Sequence, residues 1–513
     1  MEFNTYPFIA LFLPITLLVY HLLERRKPRV WSLMWLAGAS LFFYAWYNPA
    51  NLGILLTSIA FNYALGHWIA PGRKHWLIVG IVINLALLAH YKYGHFLADN
   101  WHLAQRIYEQ VHPLELPLAI SFFTFQQISY LVDRYRNDLK QPKLLHYSLF
   151  VTFFPHLLAG PIVQAGEMVA QFAKHHGRRR IAKDLAVGIT LFVLGLFKKV
   201  VLADGVATIA TEIFSAVDRG ESVHFLPAWC GALAFSFEIY FDFSGYSDMA
   251  SGLARMFGFH LPLNFYSPYR ATNIAEFWRR WHMTLSRFLR HYLYFPLGGS
   301  RQGLTQRARN VMLTMLLGGL WHGAGWTFVA WGGLHGVYLL IYHTWNSFRL
   351  APTHPPSRTR IPGNRLLTFL AVTIAWVFFR AETFAGAWSL LASMLGLHGV
   401  WLPLSWQGAW PFSHPLWVFT ASFTPYWFGP VGWKACVWIA VLWVGVWWLP
   451  NSAQFMRHTL QGASLPPEHL DQPVRFPILS WRPHPILAAG LALMFISTFV
   501  HLSLHKNFIY FQF

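Results

Sequence analysis

The stretch GGLWHGAGW, residues 318–326, sets one imidazole among two tryptophans and four glycines within a strongly apolar region. Histidine titrates closer to neutral pH than any other side chain, so in a site kept from water it suits removal of a proton from a hydroxyl. His322 is therefore a candidate general base. Trp321 and Trp326 are candidate rigid walls for a bound substrate, and Gly318, Gly319, Gly323 and Gly325 permit close backbone approach. The competing reading is a structural histidine satisfied by a backbone carbonyl. His335, in WGGLHG, is a second candidate that geometry must decide.

Two further stretches place polar groups where lipid would forbid them. In FSFEIYFDFSGYSDMASGLARMFG, residues 235–258, Glu238 and Asp242 are four apart and share one helical face. Tyr240, Ser244, Tyr246, Ser247 and Asp248 extend the polar run. Acids at membrane depth mark functional cavities, which makes Asp242 and Tyr240 candidate substrate contacts. The competing reading pairs these acids with downstream arginines, as ties within a bundle.

The second stretch is NFYSPYRATNIAEFWRRWHMTLSRFLRHYLYFPLGGSR, residues 264–301. Asn273 with Glu276 three later reads as a helix start. A continuous helix from there would gather Glu276, Arg279, Arg280, Met283, Arg287, Arg290 and His291 on one arc. Phe277, Trp278, Trp281, Leu285, Phe288, Leu289 and Tyr292 would fall on the other. This is the pattern of an in-plane helix at the cytoplasmic surface. His282 lies at the edge of the apolar arc and can point inward. Arg279, Arg280 and Arg287 are candidates for holding an anionic substrate, with contact to lipid phosphates as the plainer alternative.

Other chemistries find no footing. The chain has no HExxH, no GxxxxGK[ST], no GxSxG and no histidine followed by aspartate at HxxxxD spacing. Its two cysteines, Cys230 and Cys436, lie far apart in apolar surroundings, which reads as buried thiols and implies neither a disulfide framework nor a metal site.

These residues must be positioned by membrane helices. Of the 513 residues 55% are hydrophobic and only 12% charged, about half the charge of a soluble domain. Apolar stretches long enough to cross about 30 Å of hydrocarbon fall near 7–23, 30–47, 52–70, 76–93, 115–132, 186–206, 224–246, 366–380, 430–449 and 485–503. Shorter or Gly/Pro-broken stretches fall near 144–165, 310–325, 326–345, 385–397 and 414–429. The expected fold is an all-α polytopic bundle of about 10–13 membrane-embedded helices, some re-entrant.

Basic residues outnumber acidic ones 39 to 20, in short clusters between apolar spans. That arrangement points to cytoplasmic loops facing anionic lipid and away from nucleic acid. Arg25, Arg26, Lys27 and Arg29 put the first loop inside and the N-terminus outside. The clusters at 134–143 and 174–183 both read as cytoplasmic, so SLFVTFFPHLLAGPIV between them, broken by Pro155, Gly160 and Pro161, is expected to re-enter. Arg307 and Arg309 before His322, and Arg349, Arg358, Arg360 and Arg365 after it, likewise fold 310–345 into a hairpin with its turn near 321–326.

The chain resembles the membrane-bound O-acyltransferase family, and within it the bacterial alginate O-acetyltransferase and D-alanyl-lipoteichoic-acid transferase branch. The residues that carry the likeness are LPLAISFFTFQQISYLVD (116–133), FFPHLLAGPI (153–162), FKKVVLAD (197–204), EIYFDFSGYSDMA (238–250), the 265–301 block, LLGGLWHGAGWTFVAWGGLHG (316–336) and the closing FIYFQF (508–513). The resemblance implies one membrane acyltransferase domain over 1–513, with N-terminal helices to 114, a core over 115–345 and C-terminal helices from 346. It also implies a funnel or tunnel through the bundle. It gives His322 the role of the family's invariant histidine and maps the second catalytic position onto His282.

The implied reaction is transfer of an acetyl group from a cytoplasmic thioester, acetyl-CoA, for O-acetylation of an exported polysaccharide such as alginate. No permanently bound cofactor is implied. The implied partners are a periplasmic acetyltransferase or polysaccharide-export proteins and the lipids of a bacterial inner membrane. D-alanyl transfer to a cell-envelope polymer is the alternative within the family. From composition alone, a secondary transporter with broken helices is the rival.

Overall fold

The computed structural model describes residues 1–26, 28–101, 116–174, 181–301, 303–348, 360–403, 421–424, 432–457, 481–502 and Phe508. Arg178, Arg179, Arg180, Arg349 and Arg358 of the basic flanks, most of the 414–429 stretch and the FIYFQF ending beyond Phe508 lie outside these residues.

The apolar runs fold as expected into an all-α bundle. Among the described residues, four continuous helices are long and apolar enough to cross a membrane: Phe8–Arg26, Lys74–Asn100, Ile181–Asp218 and Ile361–Arg380. Arg29–Ala45, Ala50–Trp68, Ile120–Arg136, Phe225–Met256, Leu304–His322, Trp326–Phe348, Gly432–Trp448 and Pro485–His501 pack around them. The one departure among the described residues is a short parallel ladder, Val400–Pro403 against Ala421–Thr424.

The broken stretch does double back. Leu144–Thr152 ends at Phe153, a single turn runs Phe154–Leu157, and Ala165–Ala173 returns to pack on Leu144–Thr152. Residues 149–163 of this excursion are buried, as irregular backbone at membrane depth must be.

The most extensive helix contact joins Ile181–Phe197 to Phe225–Met256. It is built on paired glycines. A Cβ at Gly188 would sit 2.6 Å from the carbonyl of Gly252, and one at Gly195 would sit 2.5 Å from that of Gly245. Small residues let two backbones touch where lipid offers no hydrophobic drive for association. Just beyond this contact, Lys199 pairs with Asp242 at 2.6 Å and with Asp204 at 2.9 Å.

Apolar side chains collect into two main cores. One gathers the helices up to Phe172 with Tyr246–Phe259, Leu285, Phe288, Leu289 and Trp321. The other gathers residues from 203–243 with Phe265, Phe277, Trp281, Trp331, Phe369–Met394 and Ile439–Val446. The 265–336 block therefore spans the seam between them.

Candidate active site

His322 ends the Leu304–His322 helix, and Trp326–Phe348 runs back along it after a turn of three residues. The hairpin expected from the charge flanks is present, with its turn at 323–325. Its limbs touch through glycine: a Cβ at Gly319 would lie 2.3 Å from the Phe328 carbonyl, and one at Gly332 would lie 2.3 Å from that of Met315. The close contact fixes His322, 5% exposed, against the edges of Trp321, Trp331 and Phe379 at ring separations of 4.9, 5.1 and 5.3 Å.

His282 reaches the same place from another direction. The expected continuous helix is broken: Ile274–Trp278 ends, His282 adopts a left-handed conformation (φ 40°, ψ 53°), and a new helix runs Met283–Leu289. The break follows from backbone pairing with the preceding segment. Tyr266 N–H donates to the Arg280 carbonyl and Met283 N–H to that of Asn264, both at 2.9 Å. The left-handed turn swings the imidazole inward, fully buried, with its ring centroid 6.4 Å from that of His322. Trp321 of one core and Phe243 and Phe265 of the other surround it, so the two histidines occupy the seam.

Asn264 sets the orientation of His282. Its Oδ1 accepts from the Thr284 hydroxyl at 2.8 Å and from His282 Nδ1–H at 3.0 Å, while its Nδ2 donates to Ser247. This tautomer places the imidazole lone pair on Nε2. Asn264 also borders a small polar pocket with Tyr240, Ser244, Ser247, Asp248, Lys198 and Ser452. Asp248 in that pocket accepts from Lys198 and from Ser452, each at 2.6 Å.

The remaining expected residues are distributed as follows. Trp321 is at the site, stacked on Phe125, which stacks in turn on Phe288. Trp326 is not: it is 54% exposed, and its Nε1–H donates to Asn100. Trp331, which the sequence did not single out, supplies the wall instead. Tyr240 lines the polar pocket together with Asn264, the residue bonded to His282. Asp242 pairs with Lys199 from the preceding helix, where the sequence pointed to arginines downstream.

Arg280 is buried, bound to Glu276 at 2.7 Å and to the Tyr266 carbonyl. Burial works against ionisation of Glu276, but hydrogen bonds from Thr272 and the charge of Arg280 outweigh it and hold the carboxyl below its usual range. Arg287 makes a two-pronged bridge to Glu167, while Arg279 and Arg290 are exposed. His335 is fully buried behind Trp331, between Phe277 and Trp278, and neither of its ring nitrogens has a hydrogen-bond partner among the described residues. Trp331 packs against both His335 and His322.

One contributor escaped sequence reading altogether. The end of the Leu304–His322 helix leaves carbonyls without partners. Tyr93 O–H donates to that of Leu320, and Lys92 Nζ donates to those of Trp321 at 2.7 Å and His322 at 3.0 Å.

Comparison with known proteins gives the arrangement a context. The profile of MBOAT, the membrane-bound O-acyltransferase family, matches residues 34–381. A peptidoglycan O-acetyltransferase of Helicobacter pylori is 43% identical over 433 residues, covering 78% of this chain and 80% of that one. A probable alginate O-acetylase of Azotobacter vinelandii is 40% identical over 413 residues, covering 78% and 79%. A teichoic acid D-alanyltransferase of Bacillus subtilis is 28% identical over 278 residues, covering 52% and 67%.

Proposed function

The chain belongs to the membrane-bound O-acyltransferase family, and from that premise we propose that it moves an acetyl group from a cytoplasmic thioester across the membrane for O-acetylation of an exported polysaccharide. It is a multi-pass membrane enzyme that transfers acyl groups to oxygen. The observation that carries the finer reading is the meeting of His282 and His322 at the seam, 6.4 Å apart, in a chain whose relatives are named for acetylating peptidoglycan and alginate.

His322 removes the proton of the acceptor hydroxyl, the oxygen attacks the thioester carbonyl, and the sulfur leaves as the C–S bond breaks, taking the proton back from His322 as a thiol. His282, with its Nδ1–H committed to Asn264, offers Nε2 as a hydrogen-bond acceptor. That suits it to orient the hydroxyl, whereas stabilising an oxyanion would need a donor. Trp321 and Trp331 flank the reacting groups.

Acetyl-CoA is the proposed donor, and the exposed Arg279 and Arg290 offer its phosphates a cationic face. Residues 1–513 act as one domain with 115–345 as its core. The protein sits in the bacterial inner membrane with its N-terminus in the periplasm, and a periplasmic acetyltransferase or export protein receives the group.

His322→Ala tests the reading. Cells carrying the variant at wild-type membrane levels should export polymer without acetyl esters. Undiminished acetylation at that level overturns the proposal.

A further inference from the structure

Lys92 lies nineteen positions into the apolar helix Lys74–Asn100. A charge at such depth is costly and marks function by default. Its Nζ has no carboxylate within 4 Å among the described residues; its partners are the Ser121 hydroxyl at 3.4 Å and the carbonyls of Trp321 and His322. The ammonium thus spends its hydrogen bonds on the last turn of the helix that carries His322. Cations are favoured at helix C-termini, where unpaired carbonyls carry partial negative charge. The adjacent Tyr93 hydroxyl serves the carbonyl one residue earlier, so neighbouring side chains of one helix close the end of another.

We propose that Lys92 is a positioning residue for acyl transfer: its ammonium ends the helix at His322 and fixes the imidazole at the seam. The inference rests on His322 acting in catalysis. A neutral hydroxyl such as that of Tyr93 can satisfy one carbonyl, but one ammonium can hold two at once and oppose the helix dipole. Removing it lets the last turn fray, and His322 is the last residue of that turn. The two shorter contacts of Lys92 are to backbone and the third is to the Ser121 hydroxyl, so its loss should slow the chemical step while leaving donor binding in place.

The test compares Lys92→Met, Lys92→Gln, Lys92→Arg and Tyr93→Phe in membrane vesicles of the full chain supplied with radiolabelled acetyl-CoA. Rates are normalised to protein recovered as a monodisperse peak in detergent. Lys92→Met should lower kcat about 100-fold, the loss expected for a reacting group displaced by about 1 Å, with KM for acetyl-CoA changed less than about threefold. Lys92→Arg should recover kcat to within about tenfold of wild type, and Tyr93→Phe should lose no more than about tenfold.

If Lys92→Met does not accumulate, Lys92→Gln decides. It keeps hydrogen-bond donors without charge and should fall between the Met and Arg variants. Wild-type kcat in Lys92→Met or Lys92→Gln, or a loss confined to KM, overturns the proposal. An inactive His322→Ala beside a fully active Lys92→Met sinks this inference alone, whereas an active His322→Ala sinks the catalytic reading beneath it.

Discussion

Alanine at Gly319 is the sharpest test of how the hairpin holds His322. Its Cβ would stand 2.3 Å from the Phe328 carbonyl, where ordinary contact begins at 3.4 Å, so the two limbs must part by 3.4 − 2.3 = 1.1 Å. The obstructing atoms, the Phe328 carbonyl oxygen and the Gly332 Cα and N at 3.2 Å, are all backbone and cannot rotate aside. Gly319 lies three residues before His322 on the same helix, so the separation carries to the imidazole. A displacement of about 1 Å costs about 100-fold in rate, and overpacking costs about 1–3 kcal/mol in stability. At Gly318 a Cβ would meet only the end of the Leu289 side chain, at 3.3 Å, and at Gly333 only that of Leu316, at 3.6 Å. Acetyl content of exported polymer, normalised to enzyme in the membrane, should therefore collapse for Gly319→Ala and Gly332→Ala and persist for Gly318→Ala and Gly333→Ala. Equal activity across all four would refute the argument that glycine contact fixes the catalytic geometry.

Asn264→Ala removes the acceptor that orients His282 and should lower kcat about tenfold or more at nearly constant KM; an unchanged kcat would show that the tautomer is set elsewhere. Asp242→Leu removes one of the two carboxylates paired with Lys199 among the described residues, leaving Asp204, and should cost about 1.5–3 kcal/mol of stability in thermal unfolding. A raised KM with unchanged unfolding would instead make Asp242 a substrate contact. The Sγ atoms of Cys230 and Cys436 are 3.3 Å apart across the Phe225–Met256 and Gly432–Trp448 helices. Oxidation of membranes with copper phenanthroline should remove both alkylatable thiols together, and two thiols that stay reactive would contradict the packing of those helices.

Much of the site was legible because its signals were local. A histidine between glycines in an apolar run, arginines on both flanks and prolines inside a would-be span each speak within a few residues, and the hairpin and the doubled-back segment followed from them. What was hidden depended on partners far along the chain. Lys92, alone in an apolar stretch, carries no hint that it meets carbonyls 229 and 230 residues away. The break before His282 has no glycine or proline to announce it; pairing with Asn264 and Tyr266 imposes it. Trp331 rather than Trp326 faces His322 because helical phase restarts after the 323–325 turn, and a turn's geometry is not readable from spacing. The acid at 242 found its partner at 199, from the motif FKKVVLAD that the sequence had marked without linking the two.

The glycine contact between Ile181–Phe197 and Phe225–Met256 also limits how the enzyme can move. Its contacts pair 188 with 252 and 195 with 245, seven residues apart on each helix. A slide by one turn would push bulkier neighbours into both contacts at once, and the Lys199–Asp242 pair pins the same interface from its end. The two helices are thus locked in register. Any rearrangement that accompanies acyl transfer is expected to leave this pair fixed and to fall on the parts of the bundle around it.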